Sequence, residues 1–359
     1  MTSRFARAYA LRHTFASVGL ALVAVGNVAV ATQAQGSPEV WRQQGWERTD
    51  FSKSTISWRE IKSGGPPKDG IPAIDDPKFI DVGRNTTVEE IGPVIGLEIN
   101  VDARAYPLRI LMWHEIVNDT VGGVPVTVTY CPLCNAAIVF ERKTNRGVLD
   151  FGTTGKLRNS DLVMYDRQTQ SWWQQFTGKA IVGALTDTKL HLIPSRLEAF
   201  SLFQERNPRG RLLIPNDSAS RAYGRNPYEG YDTSAIPFLY RGEFRAGIDP
   251  MKRVVVVRDG DRPLAVLMGV LRNTEAISKD DVIIRWRRGQ NSALDHASIA
   301  SGRDVGNVAV QRSLPDGTLV DLAYDVTFAF VFHAFHPEGE IIQSCASNDG
   351  DIKCGEPLD

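Results

Sequence analysis

The chain has 359 residues, with 41 lysines and arginines against 42 aspartates and glutamates, for a formal net charge of −1. Basic residues scattered at near-zero charge exclude the basic stripe that a nucleic-acid partner needs. The apolar content is that of an ordinary globular protein, and the length allows two domains or one duplicated domain.

Arg4, Arg7 and Arg12 precede a small, apolar stretch from Phe15 to Val30, and Ala29-Val30-Ala31 or Thr32-Gln33-Ala34 offers a small-residue cleavage site. Residues 1–34 are therefore expected to be a signal peptide, cut near Ala31 to Ala34. The alternative is an uncleaved anchor, but the apolar core is short for a span and is interrupted by Gly26 and Asn27. No later stretch is long and apolar enough to cross a bilayer. The mature chain is thus expected in the periplasm or outside the cell, without a membrane span, where disulfides persist. Residues 35–70 form a polar leader that contains the breaker Gly64-Gly65-Pro66-Pro67. It is expected to pack loosely, anchored by Trp41, Trp46 and Trp58, with regular structure starting near Ile71.

The next elements follow from residue pattern. Val94 to Ile99 is a strand, and Pro107 to Trp113 a short helix or turn with proline at its start. Ile116-Val117 and Val124 to Tyr130 read as a hairpin around Gly122-Gly123. Ala136 to Glu141 is a strand, and Asn145-Arg146-Gly147 turns it into Val148 to Phe151. Leu162 to Asp166 and Ser171 to Gln175 form another hairpin. Trp172 and Trp173 alternate across it, so one ring can line a pocket and the other the core. Arg196 to Arg206 has the spacing of an amphipathic helix, with Leu197, Phe200, Leu202 and Phe203 on one side and Asn207-Pro208 as its stop.

The chain echoes itself. Leu190 to Leu213 and Leu319 to Ile342 share a strand, helix, x-Pro-x-Gly turn and strand, and Val126–Tyr130 lines up with Val282–Trp286. Asn135-Ala136-Ala137-Ile138 lines up with Asn291-Ser292-Ala293-Leu294, and Asp102-Ala103-Arg104 with Gly260-Asp261-Arg262. The expected fold is α+β and β-rich, built of two related units with short helices. The first spans 71–225, the second and shorter 226–345, and a tail 346–359 follows. Cys131 and Cys134 fall opposite Arg287 and Gln290, so the sulfurs belong to one unit only.

Those two cysteines stand in Tyr130-Cys131-Pro132-Leu133-Cys134, a spacing that points both sulfurs at one locus as a redox couple or half of a metal site. β-prone residues on both sides suggest a strand-knuckle-strand hairpin rather than the helix opening of a thioredoxin-like enzyme. No second Cys-x-x-Cys exists, so a metal needs other ligands. His114, Asp161 and Met164 are the candidates. Two thiolates with imidazole and thioether suit copper, and Asp161 in place of Met164 favours zinc. As a redox site, Cys131 is the exposed attacking thiol and His114 the general acid or base. A structural disulfide is the third reading, although so tight a ring gains little from loop closure. Cys345 and Cys354 are expected to close a C-terminal loop as a disulfide.

Ala105 to Leu111, Trp113 to Asp119, Tyr130 to Cys134 and Asn159 to Thr169 are together similar to the bacterial and archaeal domain-of-unknown-function family numbered 3179. The likeness runs from Gly70 to about Ile342. It implies an exported, internally repeated protein and no established activity. One departure is Arg262-Pro263-Leu264, where a fuller Arg-Ala-Tyr-Pro-Leu motif is expected. The leading expectation is an exported thiol-redox or copper or zinc site on Cys131, Cys134 and His114, with Asp161 beside them. The rival is a non-catalytic binding or scaffold module, in which an inert Cys131–Cys134 disulfide accompanies a tryptophan-rich face that holds a small molecule or a protein.

Overall fold

The computed structural model describes residues 36–258, 263–345 and 352–355. The expected signal peptide, Gly260-Asp261-Arg262 and most of the 346–359 tail lie outside the described residues. The protein is β-rich, and no described α-helix exceeds seven residues.

Two hairpins and a short helix build the frame around the knuckle. Pro93–Ile99 and Asp102–Pro107 pair antiparallel from Val94↔Pro107 to Ile99↔Asp102. Their two-residue turn, Asn100-Val101, has both φ values positive, as the twist of a tight hairpin demands. Helix Leu108–His114 follows and ends at Glu115, which is left-handed at φ 57° and donates its N–H to the Leu111 carbonyl at 2.7 Å. Ile116–Val121 then pairs with Val124–Cys131 through the Gly122-Gly123 turn, and Val124–Cys131 with Ala136–Glu141. The first sheet has the order Arg196–Ala199, Pro93–Ile99, Asp102–Pro107, Arg211–Ile214, Lys78–Asp81. The second is Leu192–Ile193, Ala136–Glu141, Val124–Cys131, Ile116–Val121.

The C-terminal half repeats this wiring. Tyr324–Phe328, Arg253–Val257, Leu264–Leu267 and Glu340–Ile342 form one sheet, whose last pair is parallel, as are Asp102–Pro107 and Arg211–Ile214. Leu319–Asp321, Asn307–Ser313, Val282–Arg287 and Ala276–Lys279 form the other. Helix Met268–Thr274 ends at Glu275, left-handed at φ 61°. The Trp286 N–H reaches the Glu275 carbonyl at 2.7 Å, as the Tyr130 N–H reaches that of Glu115 at 2.8 Å. A fifth sheet, Ile61–Ser63, Phe151–Arg158, Asp161–Asp166, Trp172–Gln174 and Lys179–Val182, belongs to the N-terminal half. One apolar cluster runs from Ile74 to Ile342, so both halves share a core.

The structure departs from the sequence reading in four places. The leader is not loosely packed: Pro38–Gln43 is a helix capped by Ser37, and Ile61–Ser63 adds a strand to the sheet of Asp161. Trp41 and Trp46 are buried, with ring centroids 4.9 and 5.2 Å from that of Trp172. The leader thus covers a sheet face that is otherwise left wet. Trp172 faces this cluster and Trp173 the main core, so neither ring lines a pocket. Arg196–Ala199 is a strand against Pro93–Ile99, and the helix is only Phe200–Arg206, because the open edge of that sheet captures the first four residues. Asn291 does not correspond to Asn135: residues 288–306 leave the sheet, and the strand paired with Val282–Arg287 starts at Asn307. Cys345 and Cys354 form the expected disulfide, and Ile352–Cys354 pairs with Ala276–Lys279.

Candidate functional site

Strand pairing sets the sulfurs. Cys131 ends Val124–Cys131 opposite Ala136, the first residue of the next strand. Between them the Cys134 N–H donates to the Cys131 carbonyl at 3.2 Å and the Asn135 N–H to that of Pro132 at 3.1 Å, with Asn135 left-handed at φ 52°. Asparagine tolerates that conformation better than most residues. The result is strand-knuckle-strand, with no helix behind the thiols. Residues distant in sequence brace it. Thr327 Oγ1 donates to the Cys134 carbonyl at 2.7 Å, Asn135 Nδ2 to Val326 O at 2.8 Å, and the Tyr231 hydroxyl to Leu133 O at 3.0 Å.

Asp161 reaches the knuckle from another sheet. A two-residue turn, Asn159-Ser160, with φ 54° and 65°, joins Phe151–Arg158 to Asp161–Asp166 and pairs Arg158 with Asp161. The turn presents the Ser160 carbonyl to both thiols, at 3.9 Å from Cys131 Sγ and 3.5 Å from Cys134 Sγ. Asp161 Oδ2 accepts from Gln174 Nε2 at 2.6 Å and from the Phe176 N–H at 2.9 Å, whereas Oδ1 is buried without a partner. One ligand atom from each of Cys131, Cys134 and Asp161 lies within 4.8 Å of the others.

The locus is dry and acidic. Burial raises the pKa of both thiols, Cys134 further than Cys131, whose shift the neighbouring thiol partly offsets. Burial lifts Asp161 to about 6, against the pull of its Phe176 and Gln174 hydrogen bonds. Glu115 is lifted to about 8 by burial and by the nearby Asp161 charge. Neither carboxylate has an ion-pair partner among the described residues. Cys131, Cys134 and Asp161 share a site, with Glu115 near enough to act on Cys131 electrostatically.

The structure brings Cys131, Cys134 and Asp161 together and leaves His114 out. His114 lies outside the cluster. Its Nδ1 donates to the Pro72 carbonyl at 2.7 Å, so Nε2 is the acceptor for the Tyr223 hydroxyl, also at 2.7 Å, and both ring nitrogens are committed elsewhere. Met164 lies three residues beyond Asp161 on one strand and packs in the apolar cluster that also holds Cys131 and Cys134. Cys131, expected as an exposed attacking thiol, is only 2 % exposed. Sequence reading missed Glu115, the neighbour of His114. Its signal is a glutamate directly after a helix, where a left-handed turn sends it and the preceding histidine in different directions.

Fold and cluster define a β-rich protein with a buried dithiol–carboxylate centre. A family model described as a protein of unknown function, DUF3179, matches residues 68–339, and the chain belongs to that family. No curated protein and no solved structure matches the chain.

Proposed function

We propose that Cys131, Cys134 and Asp161 form a transition-metal site in an exported protein, with zinc the best-fitting ion. The observation that carries this reading is the donor set itself: two free, buried thiols and a buried carboxylate whose ligand atoms all lie within 4.8 Å of one another. Two sulfurs and a carboxylate oxygen suit zinc, whereas a copper site would draw the Met164 thioether into the set. Export sharpens the argument. In a compartment that keeps Cys345 and Cys354 bonded, two thiols this close would be expected to oxidise unless held as ligands. A bound zinc supplies Lewis acidity, and three protein ligands leave a fourth position. Glu115, whose pKa burial lifts in the metal-free protein, acts electrostatically on Cys131 and is the nearby acid this reading would use for proton transfer.

The reading includes a scaffold history. The matching strand orders support two copies of one unit, over 71–225 and 226–345, of which only the first carries the donor set.

Metal analysis of the purified mature protein, with thiol titration before and after reduction, tests the proposal. One zinc per chain, lost in Cys131→Ser, Cys134→Ser and Asp161→Asn, is expected. A metal-free protein whose two thiols titrate only after reduction would instead favour a dithiol–disulfide pair, the second reading, which their mutual closeness also supports.

A further inference from the structure

A cavity of about 310 Å³ lies away from the sulfurs, lined by Thr87, Glu89, Arg109, Tyr223, Arg225 and Ser298, among others. Its size is at the lower end of the roughly 300–1,000 Å³ of small-ligand pockets. Two arginines are among the lining residues. Arg109, half-buried on helix Leu108–His114, donates Nη2 to the Tyr223 carbonyl at 3.2 Å and has no carboxylate within 4.0 Å among the described residues. Arg225 is exposed and has no ion-pair partner among the described residues. Glu89 is the one acid in the lining and acts on Arg109 from beyond ion-pair range, so the cavity keeps a net positive charge.

The wall is built rather than incidental. His114 Nε2 and Ser220 Oγ, at 2.7 and 3.1 Å, hold the Tyr223 hydroxyl, and the Gly224 carbonyl accepts from the Ile299 N–H at 3.0 Å. Gly224 is left-handed at φ 92°, and a Cβ there would stand 3.1 Å from Arg109 Nη2. The absent side chain lets the guanidinium lie against the backbone. A half-buried arginine bonded only to a carbonyl keeps free donors for a planar oxyanion.

We infer that this cavity is a binding site for a small oxyanion, a carboxylate or a phosphate, held between Arg109 and Arg225. The site does not rest on the metal reading. Isothermal titration of the full chain with succinate and, separately, inorganic phosphate tests it. Binding of at least one probe tighter than about 1 mM, weakened about tenfold or more in Arg109→Gln and in Arg225→Gln, is the expected result. Arg225 is exposed, so its variant folds even where the Arg109 variant does not. Absence of binding by both probes, or affinity unchanged in Arg225→Gln, overturns the inference, and metal content is expected to stay the same in either variant.

Discussion

Gln174 Nε2 and the backbone N–H of Phe176 both point at Asp161 Oδ2, and the shorter bond, 2.6 Å, is from Gln174. The same Gln174 accepts at Oε1 from Arg158 Nη1 at 3.3 Å, so its amide orientation is fixed from both ends. One oxygen of the carboxylate is thereby tied back, which fixes the orientation of the group. Groups that orient a ligand in this way are worth roughly 10- to 100-fold in metal affinity. Gln174→Leu is expected to lower zinc affinity by about that factor, read by competition with a chromophoric chelator. Unchanged affinity would remove Gln174 from the site.

Met164 and Asp161 give opposite forecasts. Met164→Leu conserves volume in the core and is expected to cost less than about 1.5 kcal/mol, with metal content unchanged. Loss of metal from that variant, in protein that still folds, would return the thioether to the ligand set and copper to first place.

Stability of the metal-stripped protein is expected to fall as pH rises from about 4 to about 8. The sign follows from proton counts: Asp161 and Glu115 keep their protons in the folded state to about 6 and about 8, whereas the unfolded chain releases them near their ordinary values. The folded state binds more protons across that window, so stability drops there and levels off above it. In Glu115→Gln the decline attributable to these groups is expected to end near pH 6. Chemical denaturation across this range, with chelator present, reads the difference, and identical profiles for variant and parent would refute the assignment.

Thr327→Val removes the hydroxyl that donates to the Cys134 carbonyl. A buried acceptor left without its donor costs about 1–3 kcal/mol. Both lower stability and weaker metal retention are expected, because the bond holds the knuckle itself. A thermal melt together with metal release reads both. A fall in stability alone, with retention intact, would make the brace structural only.

Trp46 sits under the sheet that carries Asp161 and has no exposed surface. Trp46→Ala is expected to cost about 3–5 kcal/mol, a loss out of place in a leader that hangs free. A melting temperature within a degree or two of the parent would contradict the packing described for residues 36–63.

Much of this was legible in the residues. Gly122-Gly123 announces its hairpin, and the Cys-Pro-Leu-Cys knuckle its own, because local turn chemistry decides both. Asp161 could be picked out from a polar-to-apolar strand entry. What escaped depends on partners far along the chain. Leu197, Phe200 and Phe203 satisfy helical spacing, yet the first of them is claimed by the edge of Pro93–Ile99. His114 was the more obvious ligand by residue type. No local pattern shows that Glu115 turns left-handed, or that Pro72 and Tyr223 already occupy the imidazole. The burial of the leader depends on Trp172, more than a hundred positions downstream.

The brace from Val326 and Thr327 to the knuckle also sets an order of events during biogenesis. Val326 and Thr327 are synthesised nearly two hundred residues after Cys134, so a nascent chain that has made the cysteines still lacks the groups that hold them. The cup around the sulfurs is completed late, and a fragment ending before the second half would present the ligands without the mould.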